Sequence, residues 1–432
     1  MATLKEELIA VEKAKGSFRI GLVGAGQMGT GMISQIEKMH GLKIVAVSDI
    51  MPTRAKDAYI ESSVDEELVH WVDDDLSKAD DLIREGQRVA THSSEFMTQI
   101  PSLDAIVECT GIPNIGAEIC YQTIKAGKPI INMNVETDAT IGYILTKMAI
   151  EKNVVYSLVA GDEPGSIKEI YDFADALGFE IVTIGKGKNN PLDRTATPET
   201  LAKTAQQREM SAKMLCSFVD GTKTMVEMTS IGNAIGFAPE VRGAYGPKCS
   251  VSDLPRVFVP KSAGGIFEAQ GAVDYAIGPA PGVFVIITTD QPKIKKDLNY
   301  LGLSGHGDYW SLYRPYHLAN LEAPITIANV VLHQKETLNH TIPPVAETLA
   351  VAKRDLQPGD VIDGLGMFTI YGMIEKASIA REQNLVPMGL TVGGEIVKPV
   401  KMGEAIRYED IALKEDDLIC KLRREQDILI FK

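Results

Sequence analysis

Two adjacent carboxylates, Asp162 and Glu163, follow the apolar run 154–159 in the segment "AGDEPGSI". Pro164 comes next and is suited to the first turn of a helix, where one carboxylate could accept hydrogen bonds from backbone N–H groups. Capping of this kind accounts for one of the two acids. A pair of carboxylates can also bind a divalent metal such as Mg²⁺ or Mn²⁺, or the hydroxyl groups of a substrate.

Cationic and imidazole side chains follow along the chain. Lys186 and Lys188 end the strand-like segment "FEIVTIGKGK", Arg242 lies in "EVRGAYGPK", and His317 follows the aromatic segment "GDYWSLYRPY". Such groups bind phosphate or carboxylate, or donate a proton to a developing alkoxide. Solvated surface lysines and a structural histidine remain the alternative. The predicted catalytic residues are Asp162, Glu163, Lys186, Lys188, Arg242 and His317, of which the two acids are also the predicted metal ligands.

A glycine motif near the N-terminus indicates where a cofactor binds. The hexapeptide "GAGQMG", residues 24–29, follows the strand-like "FRIGLV" and opens a helical pattern, as in dinucleotide-binding loops. Asp49 ends the next strand-like run, about 20 residues on, where a carboxylate accepts hydrogen bonds from ribose hydroxyls. Asp49 favours NAD, whereas Arg54 could accept the 2′-phosphate of NADP, so the choice between NADP and NAD stays open.

Two further loops are expected to border the cofactor, because each follows a strand-like run of the same domain. They are "ECTGIP", with Cys109, and "NMNVE". Cys109 is either a thiol nucleophile or a small buried residue. The predicted cofactor-binding residues are Gly24, Gly26, Gln27, Met28, Gly29, Asp49, Arg54, Thr110, Gly111 and Asn134.

The elements that carry these residues alternate between short apolar runs and helix-length segments from residue 18 to 159. This alternation predicts a parallel sheet with crossover helices, which is a doubly wound Rossmann domain. The acidic segment 62–89 is predicted to be a helical insertion with a solvated face. The helix-like segment "HLANLEAPITIANVVLH" could return the chain to this first domain.

The remaining sequence predicts two more domains. Helical and β-rich runs mix after residue 160, which is typical of an α+β domain, and Gly/Pro turns separate short strands such as "EIVKPV" and "DILIFK" near the C-terminus. The predicted fold class is α/β, with a Rossmann domain (1–160), an α+β catalytic and dimerisation domain (161–342) and a small β domain (343–432).

Composition limits the partners. The 432 residues carry a formal net charge of -14, which argues against nucleic acid and anionic membranes, since both select basic surfaces. A local cluster of cations can still bind a small anionic substrate. Five scattered cysteines suit reduced thiols. No stretch approaches the roughly 18 apolar residues of a membrane span. We therefore predict a cytoplasmic protein.

The whole chain resembles the homoserine dehydrogenase-like oxidoreductases that carry a C-terminal SAF domain, and among them the DXR-like (type II) 1-deoxy-D-xylulose 5-phosphate reductoisomerases. The resemblance is carried by the glycine loop, "AGDEPG", "DGTKTMVEMTSIGNAIGF", "YRPYHL" and "AKRDLQPGDVI". It implies a homodimeric, NADPH-dependent enzyme of isoprenoid biosynthesis that rearranges and reduces a ketose phosphate with the help of a metal. By this resemblance Asp162 and Glu163 would hold the metal or a diol, Lys186, Lys188 and Arg242 would bind the substrate anion, and His317 would lie near the substrate.

Two other functions stay open at this point. One is a plain dehydrogenase of the homoserine type, which acts on another sugar-derived polyol, sugar acid or phosphate and uses Lys186 or Lys188 as proton donor without a metal. The other is a non-catalytic protein that senses the dinucleotide. Sensitivity to a chelator would separate the first alternative from the reductoisomerase, and the cations and carboxylates beyond the cofactor loop argue against a sensor.

Overall fold

The computed structural model describes residues 2–51 and 53–431. Its strands are β1 (Phe18–Val23), β2 (Leu42–Ser48), β3 (Val69–Trp71), β4 (Arg88–Thr91), β5 (Ala105–Glu108), β6 (Ile130–Asn132), β7 (Tyr156–Leu158), β8 (Glu180–Lys188), β9 (Ala272–Ile277), β10 (Val283–Thr288), β11 (Gly305–His306), β12 (Tyr309–Arg314), β13 (Ala346–Ala352), β14 (Ile370–Lys376), β15 (Glu395–Ile396) and β16 (Ile411–Ala412).

The α-helices are α1 (Leu4–Lys15), α2 (Gln27–Ile36), α3 (Arg54–Glu61), α4 (Leu76–Arg84), α5 (Ser94–Gln99), α6 (Pro113–Lys125), α7 (Val135–Glu151), α8 (Glu163–Ala176), α9 (Pro198–Gln207), α10 (Ala212–Val219), α11 (Thr222–Ile235), α12 (Leu254–Val257), α13 (Pro292–Tyr300), α14 (Ala319–His333), α15 (Ala377–Glu382) and α16 (Leu418–Phe431). Short 3₁₀ turns cover Glu66–Leu68, Val251–Asp253, Lys261–Ala263, Met388–Leu390 and Tyr408–Asp410. Within the described part of the chain, every helix falls short of the length and apolar character that crossing a membrane requires.

Two compact units make up the chain. The first contains residues 1–165 and 318–341, and the second contains residues 166–317 and 342–432. Helix α14 therefore belongs to the first unit, as the sequence allows. The C-terminal residues share the second unit with the middle of the chain, and the predicted division into three domains stays a prediction.

The first unit is built on a seven-stranded parallel sheet with the order β3-β4-β2-β1-β5-β6-β7. Its central strands are mostly apolar because helices cover both faces of such a sheet. Ile20 and Leu22 of β1 are fully buried, as are Ile44 and Val47 of β2. The strand order reverses between β1 and β5, and ligands of doubly wound folds bind at such a switch point, beyond the carboxyl ends of the strands.

The acidic segment 62–89 is not a purely helical insertion. It contains helix α4, but it also supplies strand β3 and the start of strand β4, which pair in parallel with each other and extend the sheet beyond β2. The strands are only three and four residues long. Strands this short give almost no alternating pattern, so the acidic residues around them dominate the sequence signal.

Residues 318–341 join the first unit through buried polar contacts. Nε2 of His340 lies 2.7 Å from Oδ2 of Asp138 on α7, and the other oxygen of Asp138 accepts a hydrogen bond from the Tyr156 hydroxyl at 2.8 Å. Gly142 makes this possible, since a Cβ there would lie 2.5 Å from the His340 ring. Helix α7 departs from helical geometry at Ile141, beside this contact.

The second unit holds a five-stranded mixed sheet with the order β11-β12-β10-β8-β9. Strands β8 and β9 run parallel, whereas the β8–β10, β10–β12 and β11–β12 pairs are antiparallel. Phe258, Phe267 and Phe284 are completely buried against this sheet. The aromatic segment before His317 is thus part of the β11–β12 hairpin at one edge of the sheet.

The C-terminal residues add two small antiparallel sheets, β13–β14 and β15–β16, which confirms the predicted small β element. The strand predicted for "DILIFK" is wrong, because residues 427–431 end helix α16. Arg423 makes an i,i+4 ion pair with Asp427 along this helix and a second ion pair with Glu347 of β13. A short apolar run fits a helix and a strand equally well, so only these contacts decide between them.

Candidate active site

The glycine turn between β1 and α2 has the close packing of a dinucleotide loop. Gly24 has a φ of 100°, and a Cβ on it would lie 2.8 Å from the carbonyl carbon of Cys109 in the β5 loop. A Cβ on Gly29 would lie 2.1 Å from the Gly24 oxygen. Both positions therefore require glycine for steric reasons, and the turn is held against the loop that follows β5.

Gly26 differs from the other two glycines. It is exposed, it directly precedes helix α2, and no atom of the described residues lies within 4 Å of the place a Cβ would take. Gln27 and Met28 form the first turn of the helix, whose free N–H groups attract a phosphate group. The open backbone at Gly26 fits the close approach of a pyrophosphate.

Asp49 follows β2 and is almost fully buried. Its Oδ2 accepts a hydrogen bond from the backbone N–H of Ala25 at 2.9 Å, and its Oδ1 accepts one from Met51 at 2.9 Å. The carboxylate thus holds the glycine turn in place. Each oxygen can accept a second hydrogen bond, so the carboxylate could also bind the ribose hydroxyls. That role stays a prediction. Arg54, the first residue of α3, is exposed.

The loops after β5 and β6 lie at the same carboxyl edge of the sheet, as predicted. Gly111 has a φ of 66°, and the N–H of Thr110 lies 3.0 Å from a Cβ placed on Gly24. Asn134 caps helix α7 by accepting a hydrogen bond from Thr137, and its amide donates to the Ile112 oxygen. The structure therefore brings Gly24 and Thr110 together, while Asn134 ties the β6 loop to the β5 loop.

Cys109 is a poor nucleophile in this environment. Burial raises the pKa of its thiol well above the ordinary value, and the neighbouring Glu108 carboxylate acts in the same direction. Since the thiolate is the reactive form of cysteine, the structure favours the interpretation of Cys109 as a small packing residue. All five cysteines are free.

Glu108 is not among the residues predicted from the sequence. It ends β5, is completely buried, and accepts hydrogen bonds from the backbone N–H and the hydroxyl of Thr110. Burial raises its pKa to about 7. A glutamate at the end of an apolar strand, directly before the cofactor loop, is the sequence signal that could have identified it.

Asp162 and Glu163 lie at the end of the first unit. Glu163 is the first residue of helix α8 and is buried, and Asp162 directly precedes the helix. Gly161, before the pair, has a φ of 81°, and a Cβ on it would lie 2.5 Å from Cβ of Glu322 on α14. Two carboxylates are hard oxygen donors of the kind that Mg²⁺ and Mn²⁺ prefer.

The two predicted lysines are buried on β8 in the second unit. They are two residues apart, so their side chains leave the strand on the same face. The ammonium group of Lys186 forms an ion pair with Glu227 of helix α11, and the ammonium group of Lys188 donates to the Phe218 oxygen. The alternative of solvated surface lysines is thereby excluded, since Lys186 is 6% and Lys188 5% exposed.

Burial, together with the positive charge of Lys186, lowers the pKa of Lys188 to about 8. The carboxylates of Asp220 and Glu227 oppose this shift. An amine that titrates near neutral pH exchanges protons readily, which is the property that acid–base catalysis requires. The two lysines therefore have different environments: Lys186 is ion-paired with Glu227, whereas Lys188 has a pKa of about 8.

Arg242 lies elsewhere in the second unit. Its guanidinium forms an ion pair with Glu375 at 2.7 Å and donates to the side chain of Gln383. With Arg407 it lines a cavity of about 500 Å³.

His317, the last residue of the 166–317 segment, follows β12 and is half-buried.

Residues 161–323, which include all six predicted catalytic residues, match the model of a family described as "Oxidoreductase DRL, catalytic domain". The match shows that the protein is an oxidoreductase, as predicted, and sets aside the non-catalytic sensor. Together with the glycine turn, it supports an enzyme dependent on NAD(P). No curated protein matches the chain.

Several solved structures resemble the chain. A probable dehydrogenase from Thermotoga maritima is 13% identical, with 74% of this chain and 90% of that chain covered and a TM-score of 0.43. A putative myo-inositol dehydrogenase from Sinorhizobium meliloti 1021 is 12% identical, with 74% and 91% covered and a TM-score of 0.40. The 1-deoxy-D-xylulose 5-phosphate reductoisomerase from Zymomonas mobilis in complex with NADPH is 16% identical, with 48% and 58% covered and a TM-score of 0.33.

Proposed function

We propose that the protein is an NAD(P)H-dependent oxidoreductase that reduces the carbonyl group of a small, anionic, sugar-derived substrate. The observation that carries the proposal is the buried Lys186–Glu227 pair with Lys188 beside it, within the segment that matches an oxidoreductase catalytic domain. The proposal assigns the dinucleotide to the glycine turn of the first unit and the proton chemistry to β8 of the second.

When bound, the nicotinamide supplies a hydride to the carbonyl carbon. A C–H bond forms there, the carbonyl π electrons move to oxygen, and the oxygen takes a proton from the Lys188 ammonium group. Lys188 is left as a neutral amine and regains its proton from solvent. Lys186 keeps its charge through Glu227, holds down the pKa of Lys188 and attracts the anionic substrate.

The metal and anion roles are further parts of the proposal. Asp162 and Glu163 would hold a divalent metal, Mg²⁺ or Mn²⁺, whose chemistry is to polarise the carbonyl oxygen. Arg242 would bind an anionic group of the substrate, because its guanidinium has five N–H donors and the contacts with Glu375 and Gln383 occupy only some of them. His317 is proposed to lie near the substrate.

The substrate proposed first is a ketose phosphate such as 1-deoxy-D-xylulose 5-phosphate, with a metal-assisted rearrangement before the reduction. The resemblance of the sequence to the DXR-like reductoisomerases supports it. A dehydrogenase of the homoserine type, acting on another polyol, sugar acid or phosphate, is the second candidate. Lys188, beside the Lys186–Glu227 pair, favours the second candidate, since its ammonium group supplies acid–base chemistry that needs no metal.

The experiment is a turnover assay with NADPH, Mn²⁺ and 1-deoxy-D-xylulose 5-phosphate, followed by the loss of reduced-nicotinamide absorbance with and without a chelator. Oxidation that the chelator abolishes supports the reductoisomerase. Oxidation that survives the chelator contradicts the metal role of Asp162 and Glu163. If this substrate is inert, a panel of myo-inositol, sugar acids and polyol phosphates with NAD and NADP tests the second candidate. No turnover of any panel member would contradict the proposed substrate class.

The homodimer and the cytoplasmic location stay predictions from the sequence. Sedimentation analysis of the purified protein at several concentrations checks the first. Fractionation of cells that produce the protein checks the second.

A further inference from the structure

Glu108 occupies the switch point of the parallel sheet. Strand β5 lies between β1 and β6, and Glu108, its last residue, is paired with Val23 on one side and with Asn132 on the other. Gly24, the first residue of the glycine turn, directly follows Val23. The Glu108 carboxyl therefore belongs to the same strand ends from which the dinucleotide loops emerge.

The two oxygens of Glu108 differ in their hydrogen bonding. Oε1 accepts hydrogen bonds from the N–H and the hydroxyl of Thr110, whereas Oε2 is buried and has no hydrogen-bond partner among the residues that the structure describes. The side chain is 0% exposed. A buried carboxylate with an unsatisfied oxygen is costly in its ionised form, and a proton on Oε2 removes that charge.

The titratable groups that face Glu108 do not offset its charge. Glu136 on α7 raises its pKa further, and the thiols of Cys109 and Cys120, the latter on α6, feel its negative charge in turn. The Thr110 N–H and hydroxyl and the nearby Asn134 side-chain amide act in the opposite direction, but burial outweighs them and the pKa lies at about 7. Glu108 thus titrates in the range in which enzymes are assayed.

We propose that Glu108 is a proton-linked positioning residue of the dinucleotide site, which takes up a proton from solvent when NAD(P) binds. The proposal rests on the assignment of the dinucleotide to the glycine turn. The pyrophosphate of every nicotinamide dinucleotide is negatively charged, so an ionised Glu108 at the same strand ends would repel it. By reciprocity, a bound dinucleotide must favour the protonated carboxyl to the same extent.

Protonation also serves the loop geometry. The neutral carboxyl keeps Oε1 as the acceptor for the Thr110 N–H, so the β5 loop stays in contact with Gly24. Ionisation adds a repulsive charge beneath the same loop. The protonated form is therefore the one that keeps the β5 loop in place and does not repel the dinucleotide.

The test compares the wild-type protein with Glu108→Gln, which reproduces the neutral carboxyl. The dissociation constants of NADH and NADPH are measured by fluorescence from about pH 6 to about pH 9. We expect wild-type affinity to fall by about tenfold as the pH rises through 7, within the usual range of coupling. Glu108→Gln should keep the low-pH affinity throughout. Glu151→Gln, an exposed change on α7 in the same unit, is the matched control and should follow the wild type.

Two further readouts exclude a merely structural role. Calorimetric titrations in two buffers of different ionisation enthalpy should show proton uptake by the wild type above pH 7 and none attributable to this site in Glu108→Gln. Thr110→Val removes the hydroxyl that lowers the pKa of Glu108 and should move the midpoint of the affinity profile to higher pH. This second variant keeps the test decisive if Glu108→Gln does not fold.

The outcomes separate the inference from the proposed function. Parallel pH profiles for the wild type and Glu108→Gln, or an unmoved midpoint in Thr110→Val, would overturn the role of Glu108 while leaving dinucleotide binding intact. Failure of the wild type to bind either dinucleotide at any pH would overturn the proposed function and the inference with it.

Discussion

Lys188 shows at the scale of a single residue how burial creates a functional group. An exposed lysine is almost entirely cationic at pH 8, whereas the buried Lys188 side chain, with Lys186 beside it, has a pKa of about 8. The Phe218 oxygen accepts a hydrogen bond from its ammonium group and so fixes its position. Lysine is almost never fully buried on a strand unless its ammonium group has a partner or takes part in function.

The first prediction concerns this lysine. Lys188→Met should lower kcat/KM for carbonyl reduction by about 10²- to 10⁴-fold, the range for loss of a positioned acid. In the wild type, reduction needs the ammonium form, so its rate should be level below the pKa and fall as the pH rises through about 8. The measurement is the pH profile of kcat/KM on the substrate found by the turnover assay.

Lys203→Met, an exposed change on α9, is the control and should retain the wild-type profile. A Lys188→Met variant that folds and keeps full activity would exclude Lys188 as the proton donor. Thermal unfolding of each variant separates a chemical loss from a folding defect.

At the scale of one element, the glycine turn after β1 contains one glycine that packing requires and another that leaves room for a ligand. Gly29 is required because a Cβ would overlap the Gly24 oxygen, whereas Gly26 has open space in its place. Both are glycines of one motif, yet their physical reasons differ. Replacing each glycine with alanine, which adds one methyl group, therefore tests the two roles separately.

We predict opposite outcomes for these two changes. Gly29→Ala should lower the melting temperature by several degrees, because the overlap with Gly24 forces the backbone apart, at a cost of about 1–3 kcal/mol. Gly26→Ala should leave the melting temperature unchanged and weaken NAD(P)H binding at least about tenfold, because the methyl group takes the space a pyrophosphate needs. Calorimetry and fluorescence titration measure the two effects. Unchanged affinity in Gly26→Ala would contradict dinucleotide binding at this turn.

The incorrect predictions for segment 62–89 and for "DILIFK" have a common cause. Strands β3 and β4 and helix α16 have weak local patterns, and their conformation depends on neighbours far along the chain. The pairing of β4 with β2 and the ion pair between Arg423 and Glu347 supply that information. Strand β1 and helix α2, in contrast, have strong local signals and agree with the prediction.

At the scale of the whole molecule, buried ion pairs join distant segments within the second unit. Lys353, which directly follows β13, is buried and donates to Asp220 at 2.8 Å and to the Ala196 and Met367 oxygens. Asp220 and Lys353 are 133 residues apart in sequence. The C-terminal residues therefore complete the polar core of the unit that carries Lys186 and Lys188.

This connection leads to a stability prediction. Lys353→Met leaves the Asp220 carboxylate buried and unpaired, and we expect a loss of about 3–5 kcal/mol in the free energy of unfolding. The double variant Asp220→Asn with Lys353→Met should recover a large part of that loss, since both charges are then removed. Urea unfolding of the single and double variants measures the coupling between them. Additive effects would show that the pair does not join the two segments.

The sequence by itself determined the properties that depend on local order. The spacing of Gly24, Gly26 and Gly29 after an apolar strand, the alternation of strands and helices, and the α/β fold class all follow from neighbours within a few tens of residues. The same local order predicted the lysines on β8 and the acids at the start of α8 as candidates. Their catalytic and metal-binding roles stay predictions.

Only the tertiary structure decided which side chains come into contact and what pKa values they have. Glu227 pairs with Lys186 across 41 residues, Lys353 reaches Asp220, and Glu108 is enclosed by strands β1 and β6. None of these contacts has a local signature, because the chain brings the partners together only when its sheets assemble. The pKa of a buried group depends on that enclosure, since the loss of water and the nearness of other charges set the cost of its ionised form.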